Sequence, residues 1–305
     1  DVVDFDLPGV SSGGSRSGGA GLGFAYLEWQ ARHAVGLRAG VITLPLGLVN
    51  EAPQPMEVIG TRRPGVETFI IPALWRGSGA GAFGRVPGGF DWRVDVVEGL
   101  DAKGFTAADA IRQGRPDGAP GFRGEPALAA RLDWRGGPGM RIGTSWFTGN
   151  SWPHAQPAGT PLRARVTLYD MHGTLDWRGF QGRALYAVGR LDQSEAVSDA
   201  LGLTGAERLG ESFFGGYVES TFDVLPRLVP DSSWGLLPTA RFEEYDTQDN
   251  IAVGAENPAH HHTVIAAGLA VKPHPSVVVK ADREYRHDEA NTETRRWNLA
   301  FAYQF

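Results

Sequence analysis

The chain has no cysteine. That excludes disulfides, thiolate metal sites and cysteine nucleophiles, and it is compatible with an oxidising compartment such as a periplasm or cell surface. Lysine is almost absent: only Lys103, Lys272 and Lys280 occur among the 29 basic residues, and the rest are arginine. The net charge of −6 argues against a nucleic-acid binder. Although 42% of the residues are hydrophobic, no window approaches the ~18 uninterrupted apolar residues of a spanning helix, so a helical membrane protein is excluded. No cofactor is implied. No signal peptide precedes Asp1, so either it has been removed or the chain begins after it.

What is present is strand pattern. The 42 glycines and 20 prolines suit many strands and turns. The last ten residues, R-W-N-L-A-F-A-Y-Q-F, place Trp297, Leu299, Phe301, Tyr303 and Phe305 at every second position. Asn298, Ala300, Ala302 and Gln304 lie between them. Successive side chains of a strand point to opposite faces. This strand therefore has one large apolar face and one small or polar face. A soluble sheet buries such an apolar face, whereas a membrane β-barrel turns it outward to lipid.

The same alternation recurs along the chain. Strands are expected at 2–7, 22–30, 35–44, 78–86, 90–98, 127–134, 140–148, 163–177, 180–192, 213–224, 236–246, 263–272, 277–286 and 296–305. Short connections (31–33, 87–89, 135–138, 178–179, 273–276 and the longer 225–234) interleave with long ones (8–21, 45–76, 99–124, 149–161, 193–211, 247–259, 287–294). Thr106 is placed to cap a short helix through about Arg112 inside the 99–124 loop. An even strand count, with short turns at one end and long loops at the other, is the outer-membrane pattern. The expected fold is all-β: one transmembrane, antiparallel, up-and-down β-barrel of about 14 strands over 1–305, with short periplasmic turns and long extracellular loops.

Tryptophan placement supports that frame. Trp29, Trp92, Trp134, Trp177 and Phe305 fall at the short-turn ends, and Trp146 and Trp297 nearer the long-loop ends, which reads as two aromatic girdles. Fourteen strands ~4.8 Å apart and tilted ~40° enclose a backbone diameter of roughly 28 Å, too wide for wall side chains alone to fill.

Read inward, the polar set includes Arg38, Arg93, Asp95, Arg131, Asp133, Arg141, Asp170, Arg183, Arg241, Glu243, Lys280 and Asp282. It serves either as a charged pore wall or as internal bracing, and both roles are compatible. Loop 45–76 is the longest and is the candidate constriction. Arg62, Arg63 and Arg76 would stand at its eyelet, with Glu51, Glu57 and Glu67 as countercharges. His260, His261 and His262 at the outer mouth decorate the rim, because adjacent strand residues point apart and matched metal partners are not evident. Asp170 and His172 share an inward face and read as a wall pair.

Five stretches resemble the bacterial porin family related to phosphate- and pyrophosphate-selective porins. These are L-R-A-G-V-I-T-L-P-L-G (37–47), I-I-P-A-L-W-R-G-S-G-A-G-A-F-G (70–84), V-T-L-Y-D-M-H (166–172), G-L-A-V-K-P-H-P-S-V-V-V-K-A-D (268–282) and the terminal strand. The resemblance implies an outer-membrane porin, commonly trimeric, with 16 strands in the selective members. The lysine-rich phosphate site of those members has no counterpart in a chain with three lysines.

The expected function is passive or semi-selective diffusion of small hydrophilic solutes or ions across the outer membrane of a Gram-negative cell. The expected partners are outer-membrane lipid and lipopolysaccharide, the solutes themselves, and either further copies in a homotrimer or accessory outer-membrane proteins. The alternative is a plugged barrel docking in an outer-membrane complex. A barrel enzyme is not expected, since no serine accompanies His261 at the rim.

Overall fold

The computed structural model describes residues 25–32, 34–50, 52, 54–116, 124–152 and 162–304. They form thirteen strands: β1 (Ala25–Arg32), β2 (Val35–Thr43), β3 (Arg76–Val86), β4 (Phe90–Glu98), β5 (Pro126–Gly137), β6 (Met140–Asn150), β7 (Arg165–Trp177), β8 (Phe180–Leu191), β9 (Ser212–Phe222), β10 (Gly235–Asp246), β11 (His261–His274), β12 (Val277–Asp288) and β13 (Glu293–Tyr303). Their order in the single sheet is their order in the chain. Each neighbouring pair is antiparallel, as between β1 and β2 or β12 and β13. Every strand expected from residue 22 onward is present. The one expected at 2–7 lies outside the described residues, as does Phe305. Among the described residues β1 and β13 are the two sheet edges and do not pair with each other.

The tight connections follow from local chemistry. Arg178 and Gly179 both take positive φ, 50° and 86°, the backbone of a two-residue turn whose twist matches the flanking strands. Gly139, at φ 76°, closes the β5–β6 connection, and a Cβ there would lie 1.7 Å from the Asp176 carbonyl oxygen.

The sheet is inside out relative to a soluble one. Leu299 and Phe301 are 79% and 70% exposed, whereas Asp95 is 0% and Asp282 5% exposed. The buried face has two zones. Toward the long connections it is apolar, with Phe147, Val166, Leu168, Leu185, Leu191 and Phe213 buried in one cluster. Toward the short turns it carries the charged residues.

Residues 44–75 leave β2 and return to β3 at one point, closed by the Leu44 N–H donating to the Trp75 carbonyl at 2.9 Å. Between these ends the segment lies on the buried face. Its Leu44, Leu46, Leu48, Val66, Ile70 and Trp75 join the apolar cluster, and Trp75 packs on Phe147 with ring centroids 4.6 Å apart.

Two local expectations are corrected. Residues 106–112 do not form a helix. Ala110 takes a left-handed φ of 47°, Thr106 bridges to Ala110, and the Thr106 hydroxyl accepts the Asp109 N–H at 3.0 Å. Short 3-10 turns flank this hook at Ala102–Gly104 and Arg112–Gly114. The connection expected at 287–294 is shorter, because β12 runs to Asp288 and β13 starts at Glu293. The 193–211 connection contains a short helix, α1 (Ser194–Ala200).

Candidate functional site

The charged zone is built from strand parity. Asp133 on β5, Gly143 on β6 and His172 on β7 stand in one row, as do Arg131, Ser145 and Asp170. Gly143 has no side chain to separate its neighbours. A Cβ there would lie 2.3 Å from Asp133 Oδ1 and 2.5 Å from His172 Nε2. The two side chains therefore meet across β6 at 2.9 Å. Arg131 Nε pairs with Asp133 Oδ2 at 2.6 Å, and His172 Nδ1 lies 2.6 Å from Asp170 Oδ1. The Ser145 hydroxyl donates to Asp170 Oδ2. Arg131, Asp133, Asp170 and His172 are all buried, and a buried charge persists only where partners satisfy it.

This network grips the inserted segment. The Gly47 N–H donates to Asp170 Oδ2 at 3.1 Å, and the Gly47 carbonyl accepts from Arg131 Nη1 at 2.5 Å. Further grips follow around the sheet. Lys280 Nζ on β12 donates to the carbonyls of Pro55, at 3.0 Å, and Val58. Asp282 accepts the Thr61 N–H at 2.9 Å and its hydroxyl at 2.5 Å. Arg241 Nη1 donates to the Arg62 carbonyl at 2.7 Å, and Glu243 accepts the Val66 N–H at 3.4 Å. Arg183 Nη2 lies 3.9 Å from Glu57. One segment thus touches charged side chains from β5, β7, β8, β10 and β12, so the sheet curves around it.

Glu67 forms a separate clasp. Its Oε2 accepts the Leu48 and Val49 N–H groups at 2.7 and 2.6 Å, and its Oε1 accepts the Tyr217 hydroxyl. Burial pushes its pKa up to about 7, and the three donors offset that only in part. Gly47 is required beside it: its φ is 66°, and a Cβ would lie 2.5 Å from Glu67 Oε2.

Seven of the inward residues read from sequence therefore contact the segment: Arg131, Asp170, Arg183, Arg241, Glu243, Lys280 and Asp282. The others stay on the wall. Arg93 pairs with Asp95 at 2.6 Å and donates to the Thr43 carbonyl at 2.6 Å, at the foot of the segment. Arg38 lies 3.3 Å from Glu28 and 4.3 Å above the Phe83 ring. Arg141 is half-buried opposite Arg135 on the buried face. Arg62 is exposed and Arg63 half-buried, both on the segment. Arg76 instead begins β3. Glu57 is near Arg183, Glu67 is held in its clasp, and Glu51 lies outside the described residues.

Two cavities open beside these charged side chains. One of about 760 Å³ opens on the short-turn side and is lined by Arg38, Arg85, Asp91, Arg93, Arg131 and Asp133. The other, about 350 Å³, lies between the segment and β12–β13 and is lined by Thr61, Arg62, Arg63, Thr68 and Lys280. On the opposite face Trp29, Trp134, Trp177 and Trp297 are exposed, while Trp92 and Trp146 are half-buried there. Trp146 packs on Tyr169 with centroids 6.2 Å apart.

At the rim His261 and His262 diverge as strand neighbours must. His261 lies 2.9 Å from Glu244 and 2.9 Å from Glu289. His262 packs against the Tyr245 ring at 5.0 Å. Sequence reasoning missed Gly47, Gly143, Ser145 and Tyr217. Only inward parity hinted at the last three.

The geometry has relatives of known structure. No family model matches the chain. An uncharacterized protein of Aquifex aeolicus is 26% identical over 301 residues, covering 95% of this chain and 67% of that protein. Among solved structures, the anion-selective porin from Comamonas acidovorans has a TM-score of 0.51 at 10% identity, covering 88% of this chain and 74% of the porin. OmpT of Vibrio cholerae, described as outer-membrane expressed, has a TM-score of 0.50 at 10% identity, covering 93% of this chain and 81% of OmpT. These likenesses establish a porin-like fold.

Proposed function

We propose that the chain is an outer-membrane porin that passes small hydrophilic solutes or ions by diffusion. The observation that carries this reading is the inverted sheet: an apolar outer face and a charged inner face curved around an inserted segment. In a bilayer the first solvates in hydrocarbon and the second encloses water.

In this reading residues 44–75 are the constriction. Their backbone is fixed by Arg131, Asp170, Arg241, Lys280 and Asp282, so those charges brace the eyelet. Solute passes along the 350 Å³ cavity beside Arg62 and Arg63 and through the 760 Å³ vestibule beside Arg38 and Arg93. Trp29, Trp92, Trp134 and Trp177 form the periplasmic aromatic belt, and Trp146 and Trp297 the outer one. The chain performs no catalysis and assembles with copies of itself or with accessory outer-membrane proteins.

Liposome swelling tests the reading. Vesicles carrying the protein should swell in neutral sugars at rates that fall steeply with sugar size. Swelling no faster than in empty vesicles, with the protein inserted, would defeat it. One observation favours a second reading. The apolar cluster around Trp75 and Phe147 fills the long-connection half of the interior, as a plugged docking barrel requires. A plugged barrel gives no swelling with any sugar.

A further inference from the structure

The outward face of the sheet carries one charge out of place. Strand pairing puts Ala240, Ala267, Arg283 and Trp297 in a single outward row across β10–β13. Every other charged outward residue of the described strands lies within two positions of a strand end. Arg283 is five positions from the end of β12 at Asp288, roughly 13 Å of depth at ~3.4 Å per residue and a tilt near 40°. It is exposed, and no carboxylate of the described residues pairs with it. Its guanidinium stands 5.5 Å from the centroid of the Trp297 ring. The small side chains of Ala267 and Ala281 flank it and leave its approach open. Two positions from the loop-side end of β13, Arg295 stands 5.5 Å over the Tyr285 ring and pairs with Glu293 at 3.0 Å.

A lipid-facing arginine is costly near mid-bilayer and much less so near the interface. A ring beneath it recovers part of that cost. The rest is offset most directly by an anion, and a guanidinium fork is matched to phosphate. We propose that Arg283, with Arg295 and the Trp297 and Tyr285 rings, is a site for the phosphorylated headgroup of a lipid in the leaflet on the long-connection side. The site rests on the outer-membrane reading but not on conduction. Two arginines against one glutamate leave a net positive charge on this outward patch, within reach of a headgroup phosphate drawn toward it. An arginine that merely extends along the surface to water would not distinguish lipids by phosphorylation.

The test is native mass spectrometry of the full chain in detergent, titrated with diphosphoryl lipid A or its dephosphorylated form. The wild type should retain the diphosphoryl lipid at least tenfold better than the dephosphorylated one. Arg283→Gln should lose that preference, and Arg283→Lys should keep part of it. Retention that ignores phosphate, or is unchanged in Arg283→Gln, overturns the proposal. So does a change of oligomeric mass in Arg283→Gln without loss of lipid preference, which would make the face a contact with a second copy. Heat-modifiable migration checks that each variant folds. Should Arg283→Gln not fold, Arg295→Gln carries the same expectation at a shallower position. Phosphate-dependent binding by a protein that conducts nothing would defeat the channel and leave this site standing. Conduction without such binding would do the reverse.

Discussion

The carboxylate of Asp170 on β7 receives the backbone N–H of Gly47 at 3.1 Å, 123 residues earlier in the chain. The wall thereby holds a peptide group of the inserted segment, and Asp170 also satisfies Ser145 and His172. Asp170→Ala removes the acceptor for all three. It should cost on the order of 3 kcal/mol, since each orphaned buried donor loses its water without replacement. Urea unfolding in phospholipid vesicles reads this, and a variant within about 0.5 kcal/mol of wild type would remove Asp170 as an anchor.

Gly47→Ala probes the same anchor from the segment. A φ of 66° disfavours any residue with a Cβ, and that Cβ would press on Glu67 Oε2 at 2.5 Å. The expected loss is about 1–2 kcal/mol, together with faster protease cleavage between residues 44 and 75. Wild-type cleavage kinetics would show that the clasp does not hold the segment.

Glu67 makes stability depend on pH. Its folded pKa of about 7 lies above the ordinary 4.5. Between those values the folded chain binds more protons than the unfolded one, so stability falls as pH rises from about 4.5 to about 7 and then levels off. The full difference is roughly 3 kcal/mol at ~1.4 kcal/mol per pKa unit. Glu67→Gln should flatten this slope in the same urea assay. A slope unchanged in that variant would assign the pH dependence to other groups.

Arg62 and Arg63 line the cavity beside the segment, and Arg62 is exposed. Replacing both with alanine should change single-channel conductance and shift the reversal potential in a salt gradient toward cation preference, because two fixed positive charges leave the path. If neither quantity moves, these residues do not stand at the constriction.

The strands and their facing were legible because a period of two, broken by turn residues, is a local signal. Asp133, Asp170 and Asp282 could be turned inward from Leu132, Met171 and Ala281 alone. Loop length also marked 45–76 as the segment to watch. What it touches was not legible. Gly47 accepts from Arg131 and donates to Asp170 through backbone atoms, which any sequence possesses. Glu67 looked like a countercharge for exposed arginines, yet it is buried against two amides and a tyrosine 150 residues away. The helix expected at 106–112 failed for a similar reason. The cap chemistry at Thr106 is present, but the left-handed Ala110 turns the chain back, and no local residue type announces that.

The central claim is a water-filled path past a segment clasped inside the barrel. Single-channel recording of the wild-type protein in a planar bilayer tests it most directly. Insertion should give discrete, ohmic conductance steps with a reversal potential that moves with the salt gradient. Protein that inserts yet carries no current at any voltage would contradict the account and leave the plugged barrel in its place.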